Sequence, residues 1–114
     1  MTLEEYFSTG PPHERPVDEA VLDGLAARGV EPFLEPVSVG IFLKRAQSFC
    51  QLRPMTKWVA VGFILRRRIQ HPRFARKVDG NGTRWWYVVN VRTPEEVDDE
   101  LLDWLVEAWD AAPE

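Results

Sequence analysis

The chain has 114 residues, of which 45% are hydrophobic and 28% are charged, with a net charge of −4 and one cysteine, Cys50. This composition is typical of a single globular domain, and it excludes a disordered chain, a fibrous protein and a fold that depends on an internal disulfide. Because no apolar run is long enough to span a bilayer and the start lacks the basic and apolar regions of a signal peptide, the sequence predicts one cytoplasmic domain over residues 1–114.

The first helical signals lie in the N-terminal quarter. Residues 1–7 predict a short amphipathic turn or helix, which a Gly-Pro-Pro sequence ends. From about residue 13 to residue 28, apolar side chains recur at helical spacing, and Gly29 follows where a glycine commonly ends a helix. This periodicity predicts the first long helix.

Short apolar runs rich in β-branched and aromatic residues follow from Phe33 onward. They predict strands at about 33–39, 48–53, 57–65 and 84–92, with 41–44 either extending the first strand or forming a short strand of its own. Residues 57–65 carry apolar side chains on both faces of the predicted strand, which is typical of a central strand covered on both sides.

The C-terminal part of the chain predicts a loop, a strand and a helix. Residues 66–83 show no sustained periodicity and predict a long loop. Thr93, Pro94 and Glu96 match a capping box with proline at the first helical position, which predicts a helix from Pro94 to about Ala111. The whole order predicts an α+β fold, with a mostly antiparallel sheet of about four strands packed by an N-terminal and a C-terminal helix.

The charges are segregated along the chain. Of the 14 Lys and Arg residues, 12 lie between Lys44 and Arg92, where Asp79 is the only acidic residue. Two interpretations are open. Either the acidic helices cover and neutralise a basic sheet, or the basic middle forms a surface that binds an anion.

The strongest candidate site is a basic cluster in and after the predicted loop. Its members carry a cationic or protonatable side chain: Arg66, Arg67, Arg68, His71, Arg73, Arg76, Lys77 and Arg84. Guanidinium groups offer paired donors to phosphates, and Trp85 or Trp86 beside them is a candidate for stacking on a base, as in single-strand binding. The alternative is a solvated loop paired with the acidic helices, with both tryptophans in the core.

No catalytic, metal or cofactor signature is present in the sequence. His13 and His71 are not spaced as metal ligands, and Cys50 lies in a predicted strand as a small buried residue. Nucleophile elbows, phosphate loops and dinucleotide fingerprints are absent from the sequence. We therefore predict no cofactor, no bound metal and no catalytic residue.

Three functions are compared on these grounds. The favoured one is a non-enzymatic binding module that contacts nucleic acid or a phosphorylated ligand through the basic loop. The second is a protein-interaction domain that self-associates as a homodimer, with the acidic last helix and its Trp104 and Trp109 docking on the basic surface of another copy. A small-molecule enzyme is the least favoured, and none of the three involves a membrane.

Several short stretches resemble a known family in their order and spacing. They are 3–7 (LEEYF) with Gly-Pro-Pro at 10–12, 40–45 (GIFLKR) leading to Phe49, 52–54 (LRP), 91–101 (VRTPEEVDDEL) and 104–109 (WLVEAW). Together they make the chain resemble DUF5655, a family of small bacterial domains also described as predicted transport proteins. The resemblance implies a compact α+β domain, found alone or appended to other domains, with no established activity.

Overall fold

The computed structural model describes residues 1–75, 79–80 and 82–112. Its helices are α1 (Leu3–Thr9), α2 (Glu14–Ala27) and α3 (Asp99–Ala111), with a short 3-10 turn at Pro94–Glu96. Its strands are β1 (Phe33–Val37), β2 (Gly40–Lys44), β3 (Ser48–Pro54), β4 (Val59–Leu65), β5 (Asp79–Gly80) and β6 (Trp85–Val91). The α+β class is confirmed. None of the helices in these ranges is both long and apolar enough to cross a membrane.

The six described strands form one sheet in the order β1-β2-β3-β4-β6-β5, and every neighbouring pair is antiparallel. The prediction of about four strands is therefore too low. Residues 40–44 form a strand of their own, and β5 pairs with the start of β6 inside the predicted loop. Two residues are too few to give β5 a periodic signal in the sequence.

All three helices pack on one face of the sheet. Alternate strand residues form this core face, and one cross-strand row joins Leu43, Cys50, Phe63 and Tyr87. These side chains are buried against Val17, Val21 and Leu25 of α2 and Leu101 and Leu105 of α3. Burial of each large apolar side chain contributes about 1.5–3 kcal/mol to folding, which makes this layer the main source of stability.

The opposite face of the sheet carries no helix within the described ranges. The prediction that β4 is covered on both sides is therefore wrong, although β4 is central in the sheet as expected. Gly62 is buried on that side because the Trp86 side chain lies over it, not because a helix does. We call this surface the open face and define it by Phe42, Gln51, Arg53, Ala60, Gly62, Ile64, Trp86, Val88 and Asn90.

The end of α2 agrees with the sequence prediction. Gly29 adopts a φ of 78°, a left-handed conformation that glycine accepts without strain. The Gly29 N–H donates to the Ala26 carbonyl at 3.0 Å, and the Val30 N–H donates to the Leu25 carbonyl at 2.9 Å. This pair of bonds is a Schellman motif, and the buried Val30 supplies its apolar contact.

The start of α3 differs from the predicted capping box. Thr93 makes no side-chain cap, and the turn that it opens ends at Val97, whose backbone leaves the helical region. The helix begins at Asp99, where the Asp98 carboxylate accepts the Leu101 N–H at 3.0 Å. Asp98 displaces the predicted cap because the short turn lets Val97 pack against the core before the helix starts.

Candidate functional site

Two arginines of the predicted basic loop bind α3. Arg67 makes a two-pronged ion pair with Glu107, with Nε and Nη2 at 2.8 and 2.9 Å from the carboxylate oxygens. Arg66 donates from Nε to the carbonyl of Ala111 at 2.9 Å. Arg68 beside them is exposed. The first two arginines therefore tie the loop to the C-terminal half of α3.

Arg73 binds the other end of α3. Its Nη1 lies 2.8 Å from Asp98 Oδ1 and 3.2 Å from Glu100 Oε1, and its Nη2 donates to the Glu96 carbonyl at 3.0 Å. Burial raises the pKa of Asp98, but the hydrogen bond from Arg73 and that from the Leu101 N–H outweigh it and lower this pKa below its usual value. Arg73 therefore fixes the α3 start.

His71 completes the link between the loop and α3. Its Nδ1 accepts the backbone N–H of Arg73 at 3.1 Å, so Nε2 carries the proton and faces Glu100 Oε2 at 3.1 Å. The ring packs edge-on against Trp104 with centroids 5.0 Å apart. Both ring nitrogens and the ring face are thus occupied by the fold.

The predicted basic cluster does not come together as one site. Its paired members bind α3, which supports the interpretation that acidic helices neutralise the loop. Arg76 and Lys77 lie outside the described residues. Arg84, by contrast, precedes β6 and lines a pocket together with Trp85 and Trp86. Arg84 also lines a pocket with Arg66 and with Ala108 and Ala111 of α3, so it borders both sides of the sheet.

The two neighbouring tryptophans point to opposite sides of the sheet, as strand alternation predicts. Trp85 packs against the helix-covered core. Trp86 lies on the open face across the backbone of Gly62, where a Cβ would overlap the six-membered ring of the indole. Gly62 is the residue type that permits this position because it has no side chain on that face. The indole is half-buried.

Two shallow pockets border Trp86. One, of about 100 Å³, is lined by Gln51, Arg53, Ala60, Gly62, Trp86 and Val88. The other, of about 320 Å³, is lined by Ile64, Asp79, Gly80, Arg84, Trp85 and Trp86. Each pocket therefore combines an indole surface with one arginine, and Trp86 separates them.

A second aromatic and basic pair lies at the far end of β4. Trp58 precedes β4 and faces Arg92, which follows β6, with the guanidinium carbon 5.6 Å from the ring centroid. Ile64, which pairs with Trp86, is six positions along the chain from Trp58, a distance of roughly 20 Å at about 3.3 Å per residue. Aromatic and basic side chains therefore extend along the whole length of the open face.

The chain was compared with known families, curated proteins and solved structures. The sequence profile of DUF5655, described as a domain of unknown function, matches residues 3–112. The chain belongs to the DUF5655 family. No curated protein and no solved structure matches it. The match extends over all the described elements of this DUF5655 domain, so the predicted membership is confirmed and the family itself assigns no chemistry to the open face.

Sequence reasoning missed the strand arginines of this DUF5655 domain. Arg53 and Arg92 were counted only as part of the basic middle, because their neighbours in the sequence gave no reason to single them out. The usable signal is the alternation of side chains along a strand. In the observed register Arg53 pairs with Ala60, and Ala60 pairs with Asn90. Ala60 is two residues from Gly62 and Asn90 is two residues from Val88, so these positions share one face of the sheet. That register depends on long-range pairing, which the sequence alone does not specify.

A buried acidic pair was also missed. Glu14 and Asp18 are 1% and 0% exposed, and the hydroxyl of Tyr6 donates to Glu14. The usable signal is helical spacing, because positions 14, 18, 21 and 25 share one face and the last two are the apolar residues Val21 and Leu25.

The remaining candidate groups lack the features of a catalytic site. In the described part of the chain, no group of three or more His, Cys, Asp or Glu side chains is placed to hold a metal ion. Cys50 is 1% exposed, and burial raises the pKa of its thiol, with the charge of Asp18 acting in the same direction. Such a thiol is unreactive and packs as a small apolar side chain, as predicted.

Proposed function

We propose that this DUF5655 domain is a non-enzymatic binding module and that its open face binds single-stranded nucleic acid. The observation that carries the proposal is Trp86, whose indole lies over Gly62 on a sheet face with no helix over it in the described ranges, between two pockets that each contain an arginine. Stacking of bases on aromatic side chains, combined with basic residues along the backbone path, is the usual chemistry of single-strand binding.

The apolar content of the open face supports a binding role. Antiparallel sheets with one solvated face normally place polar side chains there. Here that face holds the half-buried Phe42, Ile64 and Trp86 and the buried Val88 instead. Partly exposed apolar surface rimmed by polar groups commonly marks an interaction site. An occupant with flat apolar surfaces therefore fits this face better than water does.

The charge distribution supports an anionic occupant. The acids of α3 lie on the helix side of the sheet and pair with the loop, whereas Arg53 and Arg92 lie on the open face. Among the described residues, the acids on that side are Glu35, which pairs with Lys44, and Asp79, which lines a pocket with Arg84. The domain is thus polarised even though its net charge is −4. Such a field attracts a polyanion to one side of the molecule and orients it there.

A single strand fits the open face better than a duplex does. The Trp86 ring offers a flat surface to an unpaired base, and paired bases in a duplex are already stacked on each other. A phosphorylated ligand without a base would use the arginines but leave the indole surfaces unoccupied. The lone buried cysteine fits a reducing compartment, and we place this activity in the cytoplasm.

Self-association through α3 is less well supported. The acidic side chains proposed to dock on a second copy already pair with Arg67, Arg73 and His71 of the same chain. Trp104 is 8% exposed, and Trp109 packs on Phe49 with ring centroids 5.4 Å apart. Little of the predicted docking surface therefore remains for a partner.

The test is a fluorescence anisotropy titration of the whole chain against labelled single-stranded and duplex oligonucleotides of the same sequence. We expect the single strand to bind more tightly, with log K falling linearly as log salt rises. The intrinsic tryptophan emission should be quenched in parallel if bases stack on Trp86. Equal affinity for both oligonucleotides without quenching would reject stacking, and no binding at low salt would reject the function. Light scattering of the free protein then detects self-association as the competing outcome.

A further inference from the structure

Two carboxyl groups lie in the interior between α1, α2 and the sheet without a cationic partner. Glu14 and Asp18 are one helical turn apart on α2 and are 1% and 0% exposed. Glu14 Oε2 accepts the hydroxyl proton of Tyr6. Within the described ranges, the other three oxygens have no hydrogen-bond partner, and neither carboxyl group makes an ion pair.

Full ionisation of this pair is incompatible with its surroundings. Two negative charges would face each other in an apolar core, with desolvation uncompensated by any cation. If Asp18 carries a proton, its O–H donates to the Glu14 carboxylate, which then accepts from both Asp18 and Tyr6. One proton thus pairs two of the three oxygens that the ionised pair leaves unpaired, Glu14 Oε1 and one oxygen of Asp18. Burial first, and then the charge of Glu14 and the hydrogen bond to it, raise the pKa of Asp18 to about 8.

We propose that Glu14 and Asp18 share a single proton and that this proton acts as a latch, which keeps α1 docked on the domain and releases it when the proton is lost. The inference is independent of the proposed binding by the open face. It rests on the placement of the two carboxyl groups and of Tyr6.

The groups that face the pair come from each element packed around it. Tyr6 of α1 faces Glu14, and burial together with its hydrogen bond to Glu14 raises the pKa of the phenol, so that it remains a donor. His13, which precedes α2, faces Glu14 with a charge that opposes the effect of burial on this carboxyl group. Cys50 of β3 faces Asp18, and burial raises the pKa of its thiol. Loss of the shared proton therefore adds a second negative charge to the pair, and among these facing groups His13 is the one whose charge opposes it.

The latch acts on α1 because this helix has few other attachments. Tyr6 is its one buried residue, and the Gly10 backbone closes over the pair so tightly that a Cβ there would lie 2.5 Å from Glu14 Oε1. The remaining ties are the partly buried Leu3 and Phe7 and an exposed ion pair between Glu4 and Arg15 at 3.0 Å. Separation of α1 opens a path for water to the ionised pair at a small cost in apolar burial.

The test is hydrogen–deuterium exchange by rapid mixing, on the full chain, at about pH 6 and about pH 9.5, corrected for intrinsic exchange rates. We expect the protection of the α1 amides to fall by about tenfold per pH unit between the ordinary carboxyl value and the Asp18 value of about 8, and to level off above it, while β4 stays protected. In Asp18→Asn, the amide donates to Glu14 at every pH, so α1 should stay protected. Asp23→Asn, an exposed change on the same helix, should behave as the unmodified protein does.

Three results would overturn the latch: constant α1 protection in the unmodified protein, equal loss in Asp18→Asn, or equal loss in α1 and β4. If Asp18→Asn does not fold, carbon-13 titration of the carboxyl groups in the unmodified chain decides the matter. One carboxyl carbon that titrates near pH 8 supports the shared proton. Titration of every carboxyl group below about pH 5.5 overturns it.

Discussion

The basic loop and the open face both contain arginines, but two of the loop arginines pair with carboxylates of α3 and its cap, whereas Arg53 and Arg92 lie beside aromatic side chains. In the loop, Arg67 and Arg73 are held by carboxylates of α3 and its cap at 2.8 Å. On the open face, Arg53 lines a pocket beside Trp86, and Arg92 lies over Trp58. A dense basic run in a sequence is therefore not by itself a binding site, because basic side chains that lie beside acidic helices form ion pairs within the fold.

The separation of acidic and basic residues lets one acidic chain present basic side chains on one side of the sheet. The acids are concentrated in the helices, and the helices occupy one side of the sheet. The loop lies on that side as well, where Arg67 pairs with Glu107 and Arg73 pairs with Asp98. Arg53 and Arg92 lie on the other side of the sheet, and within the described ranges neither makes an ion pair with the acids of α3.

The largest effect is expected for Trp86→Ala. Removal of a stacking surface costs about 1–3 kcal/mol per base, so affinity for a single strand should fall by roughly 5- to 150-fold. Stability should change little, because the indole lies outside the helix-covered core. Trp109→Ala is the control: it removes an indole that packs on Phe49 and should lower stability without lowering affinity. Anisotropy titration and urea denaturation measure the two quantities, and equal affinities in both variants would contradict the role of Trp86.

Gly62→Ala tests the same surface without touching an aromatic residue. The new methyl group overlaps the Trp86 ring and must displace it from the sheet. We expect an affinity loss of about tenfold, and a stability change of no more than about 1–3 kcal/mol, the usual range for overpacking. Oligonucleotide titration checks the first figure. Unchanged affinity would show that binding does not require the indole to lie over Gly62.

Arg73→Gln tests the structural role of the loop. Loss of its bonds to Asp98, Glu100 and the Glu96 carbonyl should lower the free energy of unfolding by about 1–2 kcal/mol, with affinity for a single strand nearly unchanged. The pKa of Asp98 is lowered in the folded state, so its contribution to stability is present above the ordinary value of 3.8 and disappears as the pH falls through the folded value. Urea denaturation at several acidic pH values should show this loss in the unmodified protein and less of it in Arg73→Gln.

Much of the fold followed from local signals in the sequence. The α2 helix and its glycine end, the main strands and the C-terminal helix were all predicted near their observed bounds, because periodicity and capping chemistry act within a few residues. The start of α3 was misplaced because Thr93-Pro94 and Asp98 both resemble helix starts. Only the packing of Val97 on the core selects the second.

The site was less predictable because it depends on which face the helices cover. The apolar residues on both faces of β4 predicted that helices cover the strand on both sides. No local pattern indicates that the side chain of Trp86, and not a helix, lies over one of these faces. The pairing of loop arginines with α3 joins residues about 25 to 45 positions apart. Sequence alone left both that pairing and a free basic surface open.

The most direct test compares two triple variants in one titration against a single-stranded oligonucleotide at several salt concentrations. One removes the open-face charges (Arg53→Gln, Arg84→Gln and Arg92→Gln), and the other removes the same number of charges from the loop (Arg66→Gln, Arg67→Gln and Arg68→Gln). We predict that the open-face variant binds more weakly and that its salt slope is smaller by about 2, since each phosphate contact to a single strand contributes about 0.7. The loop variant should keep the slope of the unmodified protein. Loss of binding in the loop variant, with binding retained in the open-face variant, would contradict the account and return the site to the loop.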